Sequence, residues 1–327
     1  MSSLGFSIYI VGAGQLGSRH LQGLSRINMD IEITVIDPNL NALEIARKRY
    51  EKMPLNPYVR SVSYHQNLPD LCAKIDLAII STNADKRRKV IENLLDNVNL
   101  KYLILEKVAF QSTKDFQEIS DILSKRNIKA WVNCPRRLYP FFRNLREETI
   151  LSDSIKISIT GKKWGLASNT IHMLDLFAFL SGQTKLTLNI SELDTEICKS
   201  KRDGYIELTG KIYATTMRGD LLELVDYKKK DVPFQIIIEF RNKRLEIYQE
   251  QELIITYQSK IMHSKETFYM PLQSEMTASV VKSILEKGHS DLSSLSESYN
   301  LHCIMLDEFN KYLSAIYGEA IKICPIT

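Results

Sequence analysis

The sequence predicts an α/β protein in two parts. An N-terminal, doubly wound parallel sheet is followed by an α+β part with a large, mainly antiparallel sheet. Three observations carry this. Residues Ile8–Gly17 read IYIVGAGQLG, an apolar run entering Gly-x-Gly-x-x-Gly. Strand-like and helix-like stretches then alternate as far as Asn133. From Lys185 to Tyr257 the pattern is nearly all strand, punctuated by turn residues.

A strand at Ser7–Val11 turns into a helix from about Gln15 to Arg26. Gly12 permits the turn, Gly14 lets a pyrophosphate approach the backbone, and Gly17 lets the helix pack on the strand. The helix start then offers N–H groups to phosphate oxygens. Alone, the glycine pattern also fits an ordinary turn. A strand at Ile31–Ile36 ends on Asp37-Pro38, and a helix at Leu40–Lys52 is closed by the proline-containing stretch Met53–Pro57. Further strands are expected at Ser61–His65, Asp76–Thr82, Tyr102–Val108 and Ala130–Asn133, with helices at Asp85–Leu95 and Lys114–Arg126. Right-handed crossovers place every strand C-terminus on one edge. Gly12–Gly17, Asp37, Thr82 and Glu106-Lys107 all fall there, where such sheets bind ligands.

The rhythm changes after Cys134-Pro135. A helix at Tyr139–Glu148, a strand at Ile155–Thr160 and a helix at Thr170–Leu180, stopped by Gly182, precede the strand-rich region. Turns are signalled at Arg202–Gly204, Arg218–Asp220 and Asp231–Pro233. Helices at Ser274–Lys287 and Ser296–Tyr317 finish the chain. The expected division is 1–133 and 134–327, with the last helix packing back on the first domain.

The 327 residues suggest two domains. Hydrophobic residues make up 44% and charged ones 25%, an ordinary globular balance. A net charge of +4 is too small for this length to argue for nucleic acid. Five scattered cysteines (Cys72, Cys134, Cys198, Cys303, Cys324) with no C-x-x-C disfavour a zinc ribbon or disulfide framework. They fit a reducing cytosol. The N-terminus shows no signal-peptide pattern, and no window approaches the roughly 18 apolar residues of a membrane span. A cytoplasmic protein with no membrane or nucleic-acid partner is therefore expected. The histidines show no metal-ligand spacing, and no metal site is expected.

Asp37 lies twenty residues beyond Gly17. A carboxylate there accepts ribose hydroxyls and repels a 2′-phosphate, which favours NAD over NADP. The competing reading is a turn-initiating Asp before Pro38. Lys107, at a strand exit, would point at the nicotinamide end, where an ammonium stabilises an alkoxide. From periodicity alone a solvated lysine explains it as well. His172 shares a helix face with Asp175, and a polar residue on a half-buried face is its bland reading. Ser168 and Asn169 read as N-cap residues of that helix. Trp164 fits either a sugar-stacking face or a core tryptophan. Arg136, Arg137, Arg143 and Arg146 cluster near the expected domain junction and can meet a phosphate or carboxylate, although ordinary helix-surface charge explains Arg143 and Arg146 better.

The segments VGAGQLGSRH, DLAIISTNADKR, LILEKVAF, CPRRLYP and TIHMLDLFAFLSG occur in an order that resembles the glucose-fructose oxidoreductase / inositol dehydrogenase / rhizopine catabolism family, Gfo/Idh/MocA. The resemblance spans most of the chain. It implies an N-terminal Rossmann domain, a C-terminal open-faced sheet used in oligomerisation, and NAD(P)-dependent dehydrogenation of sugars, cyclitols and sugar nucleotides. Glu106-Lys107 matches the family's Glu-Lys-Pro, whose lysine is catalytic and touches substrate. Val108 replaces the proline, which is expected to relax the local backbone. Thr82 matches the Thr of a Thr-Pro pair near the nicotinamide ribose, with Asn83 in place of Pro. Arg87 stands where His is common. Arg137 matches an arginine at the start of the second domain. His172 matches the acid/base of Asp-x-x-x-His, and Asp175 a further aspartate. Ser168 stands where that motif has Asp, and Thr170 where Gly is usual, so the usual dyad is broken; Asp175 is expected to compensate by orienting the ring.

The resemblance thus implies Lys107, His172 and Asp175 as catalytic. Gly12, Ala13, Gly14, Gln15, Leu16, Gly17, Asp37, Thr82, Asn83 and Glu106 would hold the cofactor. Lys107, Arg137, Trp164, Asn169 and His172 would hold the substrate. The expected protein is an NAD-dependent oxidoreductase acting on a secondary hydroxyl of a sugar or sugar nucleotide, forming a homodimer or homotetramer through the C-terminal sheet. EKVAF and SNTIHMLD resemble members of bacterial surface-glycan synthesis. The alternatives are a non-catalytic NAD-binding sensor or partner-binding protein of the same fold, motivated by Ser168, and a reductase for an imine or non-sugar carbonyl.

Overall fold

A parallel strand covered on both faces must bury consecutive residues, and the central strands here do so. The computed structural model describes residues 5–69 and 73–327; Cys72 lies outside them. The chain begins with β1 (Phe6–Val11), α1 (Gln15–Leu24), β2 (Ile31–Ile36), α2 (Leu40–Tyr50), β3 (Val59–His65) and β4 (Lys74–Ile80). It continues with α3 (Ala84–Asn97), β5 (Asn99–Glu106), α4 (Thr113–Lys125) and β6 (Lys129–Asn133). These strands pair in the order β6-β5-β4-β1-β2-β3, all parallel. Leu77–Ile80 of β4 and Tyr102–Glu106 of β5 are buried without interruption. Parallel pairing sets Gly12, Asp37, Thr82 and Lys107 at one sheet edge, since each follows a strand's C-terminus.

A 3₁₀ turn at Pro135–Leu138 opens the second part, followed by α5 (Pro140–Thr149), β7 (Ile155–Lys162) and α6 (Leu166–Ser181). Then come β8 (Thr187–Leu193), β9 (Cys198–Lys199), β10 (Ile206–Glu207), β11 (Gly210–Thr215) and β12 (Leu221–Tyr227). A run of hairpins follows in β13 (Gln235–Phe240), β14 (Lys243–Tyr248), β15 (Leu253–Gln258) and β16 (Ile261–Thr267). Among the described residues, eight of these strands form one sheet in the order β16-β15-β14-β13-β7-β12-β11-β8. Its pairs are antiparallel except β7 with β12. In β13, Ile236, Ile238 and Phe240 are buried and alternate with half-exposed residues, the pattern of a sheet covered on one face. Helix α6, buried along most of its length, packs on β12.

The chain ends with α7 (Gln273–Lys287), β17 (Ser293–Ser294) and α8 (Leu295–Tyr317). Two compact units result. One holds the residues up to Phe110, Lys114–Asn133 and Pro271–Ser296. The other holds Gln111–Thr113, Cys134–Met270 and Glu297–Thr327. This corrects the simple division at residue 134: it is α7, not the last helix, that belongs with the parallel sheet. Helix α7 packs on α1, and β17 pairs antiparallel with β6. The physical reason is a close approach at Gly23, where a Cβ would lie 2.7 Å from the Cβ of Thr277. An amphipathic stripe shows that a helix is buried, but not which neighbour buries it.

Among the described residues no helix is long and apolar enough to cross a membrane, and no group of three His, Cys, Asp or Glu is placed to hold a metal ion.

Gly23→Ala tests the α1–α7 contact. Helix propensity alone would favour alanine by about 1 kcal/mol, whereas overpacking a filled contact costs about 1–3 kcal/mol. The expected result is a lower melting temperature by calorimetry; a higher one would refute this packing.

Candidate functional site

The turn after β1 is shaped by what its glycines lack. Gly12 has φ +101°, and a Cβ there would stand 2.9 Å from the backbone of Ser81 and Thr82. At Gly17 a Cβ would lie 1.8 Å from the Gly12 carbonyl oxygen. Around Gly14 nothing lies within 4 Å of such an atom, so the exposed face of the loop is open. Gly14 is the N-cap of α1 and supplies no side-chain cap, leaving the first N–H groups for a ligand. Ala13 is buried, Leu16 half-buried and Gln15 exposed.

Asp37 closes this loop from β2. Its Oδ2 accepts the Ala13 N–H at 2.7 Å and its Oδ1 the Asn39 N–H at 2.8 Å. A carboxylate has about four lone-pair positions, so ribose hydroxyls can still be accepted. The turn-forming and ligand-facing readings of Asp37 are therefore compatible. A cavity of 450 Å³ lies beside it, lined by Gly12, Asp37, Pro38, Thr82 and Val90 among others. Asn83 is exposed and is the N-cap of α3.

Lys107 leaves β5 half-buried, while Glu106 before it is 3% exposed and faces inward. Its carboxylate accepts from His20 Nε2 at 2.8 Å and from Asn133 Nδ2 at 2.7 Å. His20 Nδ1 meets Thr277 Oγ1 at 3.0 Å, and Asn133 also donates to Gln273 at 2.9 Å. Burial works against ionisation of Glu106; the hydrogen bonds and charge of His20, with Asn133 and Arg87, outweigh it and hold the carboxyl below its ordinary value. The Glu106 carboxylate thus meets His20 and Asn133 in the interior of the unit, next in sequence to Lys107. Arg87, 1% exposed, donates to the Glu106 carbonyl at 2.6 Å and the Ala109 carbonyl at 3.0 Å. It also donates to the Thr82 and Val108 carbonyls. The Lys107–Val108 peptide is cis, and the carbonyls of Glu106, Val108 and Ala109 around it all accept from Arg87.

In the second unit His172 is half-buried on α6. That helix starts a turn earlier than expected, behind Gly165 at φ +81°, so Ser168 and Asn169 are first-turn residues and not caps. The capping oxygens come from strands instead. Asp226 accepts the N–H groups of Gly165 and Leu166 at 3.1 and 3.2 Å. Glu207 accepts those of Ala167 and Ser168 at 3.0 and 3.3 Å, and the Ser168 hydroxyl as well. Burial raises the Asp226 carboxyl above its ordinary value despite these donors. Where the family motif has Asp, Ser168 therefore anchors a carboxylate supplied by β10, four residues before His172.

Arg137 and Asp175 meet each other in the interior of the second unit. Arg137 is 6% exposed; its Nε donates to Asp175 at 2.9 Å and its Nη atoms to Glu297 at 2.9 and 3.1 Å. Burial alone would weaken its charge, but Asp175 and Glu297 hold its value above that of an ordinary arginine. Both side chains belong to a buried ion-pair triad with Glu297. Trp164 and Asn169 line a cavity of 770 Å³ with Arg136, Met173 and Phe234. Trp164 Nε1 donates to the Val225 carbonyl at 2.9 Å, and its ring meets Phe234 edge-on at 5.6 Å. Asn169 Nδ2 donates to the Trp164 carbonyl at 2.8 Å.

Residues 6–134 match the family model described as "Oxidoreductase family, NAD-binding Rossmann fold" of Gfo/Idh/MocA. The matched residues include the glycine loop and the six parallel strands of the first unit. No curated protein matches the chain by sequence. Among solved structures, a Gfo/Idh/MocA family oxidoreductase from Vibrio cholerae is similar with TM-score 0.68 at 14% identity, over 95% of this chain and 99% of that one. A UDP-N-acetylglucosamine 3-dehydrogenase from Acidithiobacillus ferrooxidans gives 0.65 at 13%, over 93% and 96%. A 3-ketoreductase from Actinomadura kijaniata, in complex with NADP, gives 0.65 at 12%, over 92% and 95%. At these identities the likeness is one of fold. That likeness of fold extends over nearly the whole chain.

Sequence reasoning overlooked Glu207, Asp226, His20 and Asn133. His20 lies in the quoted segment VGAGQLGSRH, yet no spacing links it to Glu106. Glu207 and Asp226 reach α6 from strands far along the chain, and no local pattern marks them.

Asp175→Asn leaves the buried Arg137 with one carboxylate in place of two. A loss of about 3 kcal/mol is expected in denaturant unfolding; an unchanged midpoint would rule out the triad as a stabilising unit.

Proposed function

We propose that this protein transfers a hydride between a nicotinamide dinucleotide and a secondary hydroxyl of a sugar or sugar nucleotide. One observation carries the reading. Asp37, the glycine loop, Thr82 and Lys107 follow β2, β1, β4 and β5, which are consecutive neighbours in the sheet. Three interstrand spacings of about 4.8 Å make roughly 14 Å from Asp37 to Lys107, comparable to an extended dinucleotide. Gly12, Gly14 and Gly17 would hold the pyrophosphate, and Asp37 the adenosine ribose. Bound there, the cofactor supplies or accepts hydride at nicotinamide C4. In the oxidation direction His172 takes the hydroxyl proton and Lys107 stabilises the developing alkoxide. Reduction uses the same groups in reverse. The free carboxylate positions of Asp37 support NAD over NADP, because a 2′-phosphate would meet a like charge.

Solved neighbours that are a sugar-nucleotide dehydrogenase and a ketoreductase support the substrate class. A role in bacterial surface-glycan synthesis rests on the resemblance of EKVAF and SNTIHMLD. Exposed Ile261 and Met262 on the edge strand β16 support self-association through the second sheet. A cytoplasmic location remains part of the proposal.

Screening sugars and sugar nucleotides for NADH formation and consumption tests this reading. With a turned-over substrate, Lys107→Ala is expected to lower kcat/KM by about 10²–10³-fold, with NAD affinity nearly unchanged. Full activity in that variant would remove Lys107 from the mechanism. NAD binding without turnover of any sugar would favour the non-catalytic sensor.

Asp37→Ser is expected to raise NADP affinity relative to NAD by about tenfold in a fluorescence titration, through loss of like-charge repulsion. Preference for NADP in the unaltered protein would count against the assignment.

A further inference from the structure

Adjacent arginines in the 3₁₀ turn meet opposite surroundings. Arg137 is matched by two carboxylates, whereas Arg136 has none in its immediate surroundings. The ionisable groups whose charge it feels are Tyr139 and Cys134, and burial holds its value below the ordinary one. Its Nη1 is buried and makes no hydrogen bond among the described residues. Arg136 as a whole is half-buried, but a guanidinium nitrogen withdrawn from water without a partner is costly unless something else supplies one.

Arg136 lines the 770 Å³ cavity of the second unit together with Lys162, Lys163, Trp164 and Phe234. Two carboxylates also line it. Asp231 is 93% exposed and paired with Lys162 at 3.0 Å, and Glu250 lies on an exposed turn. Neither is a partner of Arg136. The Trp164 ring is fixed by its N–H bond to Val225 and its edge-on contact with Phe234. Asn169 and Met173 bring α6, the helix of His172, to the same cavity. The volume falls within the range of small-molecule sites.

We propose that this cavity holds an anionic substituent of the substrate, a carboxylate or a phosphate, on the Arg136 guanidinium. Lys163 adds positive charge at the cavity wall, and the Trp164–Phe234 pair packs against the apolar side of the bound group. The guanidinium fork suits both anions because each offers two oxygens side by side. This deepens the proposed function, on which it rests, by making Arg136 the specificity-determining residue and the substrate an acidic sugar or a sugar nucleotide.

Equilibrium binding to the full chain with NAD present tests it with matched pairs. D-glucuronate is compared with D-glucose, and UDP-N-acetylglucosamine with N-acetylglucosamine. At least one anionic member is expected to bind about tenfold or more tightly than its neutral partner, a preference worth about 1.4 kcal/mol. The glucuronate pair reads a carboxylate and the nucleotide pair a phosphate. Arg136→Gln is expected to abolish the preference and leave NAD affinity unchanged. Its melting temperature should hold or rise, because it removes a half-buried charge whose Nη1 has no partner among the described residues. Arg136→Lys should keep part of the preference, since charge remains but the fork is lost. Equal binding within both pairs, or a preference that survives Arg136→Gln, would overturn the proposal. Preference without turnover leaves this site standing and removes the proposed reaction; turnover without preference does the reverse.

Discussion

Arg87 is a buried guanidinium on α3 that donates to carbonyls following both β4 and β5. A strand exit is ordinarily a place where backbone carbonyls turn to water and loops drift. Here one cation satisfies the Thr82, Glu106, Val108 and Ala109 carbonyls together. The position of Lys107 is therefore tied to that of Thr82. Glu106 adds the compensating negative charge, and His20, Asn133, Gln273 and Thr277 complete the network around it. Buried charges are tolerable because nearly every polar atom in this cluster finds a partner.

That network explains why α7 belongs with the parallel sheet. Thr277 meets His20, and Gln273 meets Asn133. A segment that follows the second sheet in sequence thus completes the polar interior of the first unit. The close approach at Gly23 provides the apolar counterpart of the same contact.

The second unit solves a similar problem at the start of α6. The helix N-terminus carries partial positive charge and unpaired N–H groups. Asp226 and Glu207 supply two carboxylates to it, and Ser168 holds Glu207 through its hydroxyl. The departure from the family motif at Ser168 is therefore accompanied by a carboxylate from elsewhere in the fold. The Arg137–Asp175–Glu297 triad fixes the middle of the same helix. Arg136, one residue away, is left for a different partner.

The amino-acid sequence by itself determined the periodicities and the turn chemistry. Strand–helix alternation, the glycine loop, Asp37 at its distance from Gly17, and the Glu106-Lys107 strand exit were all legible. Each depends on neighbours in sequence or on a regular repeat. The structure alone decided which long-range partners these residues meet. Glu106 looks like a site residue in sequence but turns inward to His20. Arg137 and Arg136 look equivalent but differ by two carboxylates. Ser168 looks like a lost charge but anchors Glu207. The helix at Gln273–Lys287 was legible as a helix, but its place beside α1 was not. Backbone periodicity is encoded locally, whereas the electrostatic surroundings of a buried side chain are set by chain segments brought together only on folding.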